Sequence, residues 1–131
     1  MDLWKDRETL RAAYDDHEGV TAAFDLNALT HLNRRFAADF ELTRFVHEAR
    51  VDARRRRVEM HLVAREGHRF QVAGQPFEIA AGDSIHTENA YKYEPERFAA
   101  LAARADLRVL GHWTDEALRF AVFVLAAPGG L

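Results

Sequence analysis

Asp83 to Tyr93 reads DSIHTENAYKY and follows directly on the turn signal of Gly82. Within eleven residues it places the carboxylate of Glu88, the amide of Asn89, the phenols of Tyr91 and Tyr93 and the ammonium of Lys92. It also divides the chain. Upstream of it, apolar and polar residues alternate: Phe45, His47, Ala49 and Val51 against Val46, Glu48 and Arg50, then Val58, Met60, Leu62 and Ala64 against Glu59, His61 and Val63. A period of two is the strand signature, so these runs predict a hairpin turning at Asp52-Ala53-Arg54-Arg55. Phe70/Val72 and Phe77/Ile79 predict two shorter strands around Gly74-Gln75-Pro76. The middle of the chain is therefore expected to be a small antiparallel sheet.

Further out the period changes. Asp6 is a candidate N-cap for a helix over 7–14, and Gly19 interrupts it. Val20 to Phe36 predicts a long amphipathic helix with Val20, Ala23, Phe24, Ala28, Leu29, Leu32 and Phe36 near helical spacing. Asp15 and Asp16 precede it, where carboxylates favour the helix dipole. Downstream, Pro95 suits the first turn of a helix buried through Phe98, Leu101, Ala102 and Ala105. Leu107 to Trp113 predicts a strand. Phe120 to Leu125 is apolar without alternation, the pattern of a strand covered on both faces. Residues 128–131 read as a frayed end. The expected fold is α+β, with a region at 1–92 of helices and antiparallel sheet and a region at 93–131 of one helix and two strands.

Composition sets outer bounds. The 131 residues are 48% hydrophobic and 30% charged, which suits a soluble globular protein with a real core. A net charge of −3 gives no reason to expect nucleic acid as a partner. No apolar run is long enough to span a bilayer, no signal peptide is evident, and a cytoplasmic location is the default expectation. With no cysteine there is no disulfide, thiolate ligand or cysteine nucleophile.

The IHTENAYKY segment at 85–93, with AYDDHEGVTAAFDLNALTHLN at 13–33, resembles the C-terminal part of the SAM-dependent histidine-specific methyltransferase family. That family includes the L-histidine Nα-methyltransferase of ergothioneine biosynthesis. The resemblance starts at LWKDRETLRAAYDD and runs nearly to the end of the chain. It implies that residues 93–131 form the closing helix and two strands of a class I methyltransferase sheet. It also implies a reaction in the whole enzyme, SN2 methyl transfer from S-adenosyl-L-methionine to the α-amine of histidine, in which the protein mainly positions the amine.

The residues allow more than one reading. Glu88 either pairs with Lys92 or an arginine at the surface, or is partly buried and takes an imidazole N–H or an amine. The resemblance implies the second, with the substrate imidazole as partner. Tyr14 either packs its ring in a core or, as the resemblance implies, hydrogen-bonds the substrate carboxylate. Met60 reads as core filler; the resemblance implies that it lines the substrate pocket. Ala90 stands where family members commonly carry a serine that recognises substrate, a departure worth about 0.5–1.5 kcal/mol for a lost hydrogen bond. None of Tyr14, Met60, Glu88 and Ala90 is expected to be a nucleophile. Asn27 and Asn33 could reach an adjoining domain but suit a solvated face better.

His17, His31, His47, His61, His68, His86 and His112 show no metal-ligand spacing such as H-E-x-x-H, so no metal site is expected. His47 and His61 fall on opposite faces of the predicted hairpin. The run Arg54 to Arg57 reads as a solvated turn. The seven glycines form no G-x-G loop after a strand, so this chain by itself is not expected to bind S-adenosyl-L-methionine. The sequence therefore predicts one part of a split or truncated methyltransferase. The alternatives are a non-catalytic amino-acid-binding module and a remnant that pairs with a full-length homologue. Expected partners are a histidine-like amino acid and either an N-terminal methyltransferase half or a second copy.

Overall fold

A computed structural model describes residues 1–129, an α+β arrangement of three helices and seven strands within that range. Helix α1 spans Arg7–Tyr14 and is capped by the Asp6 carboxylate, which accepts from the Thr9 N–H at 2.8 Å. It buries Leu10 against Ala49 and Val58. Helix α2 spans Val20–Phe36. Gly19 turns the chain into it at φ +70°, and the Asp16 carboxylate accepts from the N–H groups of Val20 and Thr21, each at 2.8 Å. Hydrogen bonds from the Thr21 side chain and from these two backbone groups hold the Asp16 carboxyl at about 2. Its contribution to α2 is complete above its ordinary value near 3.8 and is lost as pH falls toward 2.

The buried face of α2 differs from the predicted stripe. Asp25 and Leu29 are buried, with Leu26 and Leu32 packed beside Leu29, whereas Val20, Phe24 and Phe36 are exposed. Apolar residues surround most of this helix, so spacing alone admits two phases. Packing of Leu29 against Phe40, Phe45 and Leu62 selects one. Asn33 is not solvated: its amide ties the backbone N–H and C=O of Phe40, both at 2.9 Å, and closes the turn into the sheet.

Strands β1 (Phe45–Asp52) and β2 (Arg57–Ala64) form the predicted hairpin, in register from Phe45↔Ala64 to Asp52↔Arg57. Strands β3 (His68–Val72) and β4 (Gln75–Ile79) pair separately. Their turn is Ala73-Gly74, both at positive φ, as a two-residue hairpin of primed type requires. Gln75 and Pro76, predicted as turn, therefore open β4. The stretch that follows Gly82 is a strand as well: β5, Ser84–Tyr91, pairs antiparallel with β2 and completes a three-stranded sheet β1-β2-β5. Its polar side chains conceal it from an alternation test.

The β2–β5 register shifts once. Met60 faces Glu88 and His61 faces His86, so Thr87 is the extra residue of a β-bulge, and its hydroxyl donates to the Met60 carbonyl at 3.0 Å. A bulge changes the phase of every side chain beyond it. Ile85 faces the helices before the bulge; Glu88 and Ala90 face them after it.

The C-terminal region contains α3 (Pro95–Arg104), β6 (Arg108–Thr114) and β7 (Ala121–Ala126), with β6 and β7 antiparallel. Among the described residues, the expected two-sided cover of Phe120–Leu125 is not present. Ala121 is buried and Phe123 meets Phe98 of α3 at 4.7 Å, but Val122 and Val124 on the other face are 53% and 43% exposed. This part of the chain offers one helix, which covers one face. The first residues join the two regions: the Met1 amino group donates to Ala121 O at 2.7 Å, and Trp4 N donates to Tyr93 O at 2.9 Å. Of the predicted frayed end, residues 130 and 131 lie outside the described residues. Among those described, no helix is long and apolar enough to cross a membrane.

Candidate functional site

The bulge places Glu88 at the edge of a concavity of about 290 Å³ between α2 and β5. Phe24, Asn27, Ala28 and His31 line it from the helix, Thr87 and Glu88 from the strand. Phe24 is 68% exposed and offers an open aromatic face. The Glu88 carboxylate has no ion pair or hydrogen bond among the described residues. Lys92, the partner considered from sequence, is committed elsewhere. Its buried ammonium pairs with Asp2 at 2.8 Å, bonds the Tyr14 hydroxyl and lies 4.4 Å from the Tyr14 ring centroid. A free carboxylate beside an aromatic face and an amide can hold a small ring or chain that carries N–H donors.

The other predicted residues sit around this concavity rather than in its lining. Met60 is 3% exposed, directly across from Glu88 in the sheet and beneath it. Ala90 is opposite Val58, one pair further along on the same face. Tyr14 ends α1 and packs against the Leu10 cluster, with its phenol on Lys92. The structure thus brings Met60, Glu88 and Ala90 to one face of the sheet and leaves Tyr14 to the side.

What links Tyr14 to the concavity escapes the sequence reading. Asp25 lines it from below, and Asp25 Oδ2 lies 2.8 Å from His47 Nδ1, with both side chains nearly fully buried. His47 Nε2 in turn donates to the Tyr14 carbonyl at 2.7 Å. Asp25, His47, Tyr14, Lys92 and Asp2 therefore form one polar chain between the helices and the sheet. One sequence signal was available: His47 occupies an inward position between Phe45 and Ala49, where a polar side chain must be paired.

The opposite face of the sheet is polar, and His61 lies on it, away from His47 as predicted. Arg50 forks onto Glu48 at 3.0 and 3.1 Å, and Arg57 Nη2 reaches Glu59 Oε1 at 2.5 Å. The Glu59 carboxyl is held below its ordinary value, chiefly by the Arg57 hydrogen bond and next by His61. The arginine run is thus only partly a solvated turn. Arg55 pairs with Asp52, Arg56 pairs with Glu94 and stacks over Trp4, and Arg57 opens β2 opposite Tyr91. Strand pairing also gathers histidines that lack ligand spacing in sequence. Glu59, His61 and His86 each bring a ligand atom to within 4.8 Å of the others.

The sequence model of the histidine-specific, SAM-dependent methyltransferase family matches residues 1–127. The chain is 44% identical over 118 residues to a histidine N-alpha-methyltransferase of Mycolicibacterium smegmatis, which covers 88% of this chain and 37% of that protein. It is 39% identical over 127 residues to the histidine N-alpha-methyltransferase of Mycobacterium tuberculosis, covering 95% and 40% respectively. Similarity to the N-methyltransferase imqF of Aspergillus flavus is 24% over 117 residues. The chain spans about two fifths of the length of the histidine methyltransferases it matches. With 127 of its residues accounted for by one family, the chain belongs to the histidine-specific, SAM-dependent methyltransferases.

Proposed function

We propose that this chain carries the amino-acid-recognition part of a methyltransferase that acts on the α-amine of histidine. The observation that carries the reading is the unpartnered Glu88 carboxylate in the concavity between α2 and β5. An imidazole N–H of the substrate would complete it, with Phe24 against the ring and Met60 packed beneath Glu88. Tyr14, held by Lys92 and His47, would meet the substrate carboxylate once the upstream portion of the enzyme closes the site. Residues 93–131 then supply α3, β6 and β7 to a class I methyltransferase sheet, and residues 1–92 the recognition region. The methyl donor belongs to the whole enzyme, since no G-x-G loop of the kind that lets backbone approach a nucleotide cofactor occurs here.

The reading is tested by histidine affinity in an enzyme assembled from this chain and a cofactor-binding methyltransferase half. Ala90→Ser is expected to tighten histidine binding by about 0.5–1.5 kcal/mol, because a hydroxyl on the Glu88 face adds one hydrogen bond. Calorimetry showing unchanged affinity would mean that this face reads another substrate.

The uncovered side of β7 has a consequence for partners. Phe120, Val122 and Val124 are exposed, and so are Leu110 and Trp113 on β6. Contiguous apolar surface of this kind marks an interaction site. The isolated chain is expected to self-associate and to bind an apolar dye, and a supplied N-terminal half to suppress both. Light scattering that gives a monodisperse monomer at micromolar concentrations, without dye fluorescence, would favour a self-sufficient amino-acid-binding module.

A further inference from the structure

The polar face of the sheet, on the side away from the concavity, contains a constellation that substrate recognition does not use. Glu59 and His61 are two apart on β2, so both project to this face, and His86 is the cross-strand partner of His61. The two imidazoles stack at 4.6 Å with planes 15° apart, and His61 Nε2 lies 3.1 Å from Glu59 Oε2. A tetrahedral metal with bonds of about 2.0–2.2 Å holds its ligand atoms roughly 3.4 Å apart. The Glu59–His61 separation is already near that value, and all three ligand atoms lie within 4.8 Å of one another.

Each of the three side chains is also oriented from behind. Arg57 holds Glu59 Oε1, which turns Oε2 toward His61 Nε2. The Ser84 hydroxyl lies 3.1 Å from His61 Nδ1, with Arg50 Nη1 at 3.4 Å from the same atom. His86 Nε2 donates to the Glu88 carbonyl at 3.1 Å, which leaves Nδ1 as its lone-pair nitrogen. A group that accepts from the far ring nitrogen is the usual support of a metal-bound histidine, and the Ser84 hydroxyl can fill that role for His61 as the Glu88 carbonyl does for His86. Of the neighbouring guanidiniums, Arg50 is matched by Glu48 outside the cluster, and Arg57 shares Glu59 with it. His61 is buried and His86 exposed, so a cation has an entry path from solvent.

We propose that Glu59, His61 and His86 form a binding site for a divalent cation of the zinc type, with the fourth position open to solvent. Two imidazoles and one carboxylate suit zinc and its neighbours in the first transition row. The cation would clamp β2 to β5 beside the Thr87 bulge. Because His86 also holds the Glu88 backbone, the clamp would fix the segment that presents the Glu88 carboxylate on the other face.

The test uses the 131-residue chain with zinc chloride, and with cobalt chloride as the spectroscopic probe. One equivalent of cobalt is expected to give the visible absorption of a site with nitrogen and oxygen ligands, abolished by added zinc. His86→Ala removes an exposed ligand, so the fold, checked by circular dichroism, is kept. It is expected to weaken zinc binding by about tenfold or more. His112→Ala, outside the cluster, is expected to leave it unchanged. Histidine NMR signals provide the second measurement: those of His61 and His86 should shift with zinc, and those of His31 and His112 should not. Absence of cobalt absorption at millimolar metal, or zinc affinity in His86→Ala within twofold of the parent, would overturn the proposal.

Discussion

Asp25→Ala is expected to lower the stability of this chain by about 3 kcal/mol, because it strips a buried imidazole of its carboxylate. The side chains of Asp25 and His47 are 3% and 1% exposed. With Asp25 gone, His47 Nδ1 loses its hydrogen-bond partner in the protein, and the space left opens onto the concavity. The ring also anchors the Tyr14 carbonyl, so the damage spreads from α2 to the end of α1. Against a total of about 5–15 kcal/mol for a domain, this is a large loss. Asp25→Asn keeps an amide that can hydrogen-bond His47 Nδ1 and is expected to cost about 1 kcal/mol. Urea unfolding followed by circular dichroism measures both. Equal midpoints for Asp25→Ala and the parent would show that α2 is held by Leu29 and its apolar neighbours alone.

The second large effect concerns Glu88 in the assembled enzyme. Glu88→Ala is expected to raise the histidine KM roughly 10- to 100-fold, as loss of a charge-assisted hydrogen bond of about 1.5–3 kcal/mol requires. Its carboxylate is solvated and unpaired in this chain, so the substitution leaves no orphaned partner and stability should hardly change. Glu78→Ala is the matched control. Glu78 is an exposed carboxylate paired with Arg69 on the β3–β4 hairpin, away from the concavity. Lys92→Ala is a poor control, since it would release Tyr14 and Asp2 together. Steady-state kinetics with histidine as the varied substrate settles the matter. Equal KM values for Glu88→Ala and Glu78→Ala would make Glu88 a surface charge and remove the basis for histidine recognition at this site.

Sequence by itself determined the local features of this protein. The bounds of α1 and α2 follow from Asp6, Asp16 and Gly19, because caps and turns act within a few residues. The β1–β2 hairpin follows from strict alternation around a short charged turn, and the family from the DSIHTENAYKY and AYDD segments. Only tertiary structure decided the rest, because each remaining feature depends on residues distant in sequence. Packing of Leu29 against the sheet chose which side of α2 is buried and left Phe24 facing the concavity. Pairing with β2 made a strand of a segment without apolar alternation, and the Thr87 bulge turned Glu88 toward the helices. The same pairing placed His86 on His61, 25 residues apart in sequence but 4.6 Å apart in space. Lys92 reads as a surface cation until Asp2 and Tyr14 close over it, across 90 and 78 residues of chain. A buried charge is stable only where its partners are, and the fold alone brings them together.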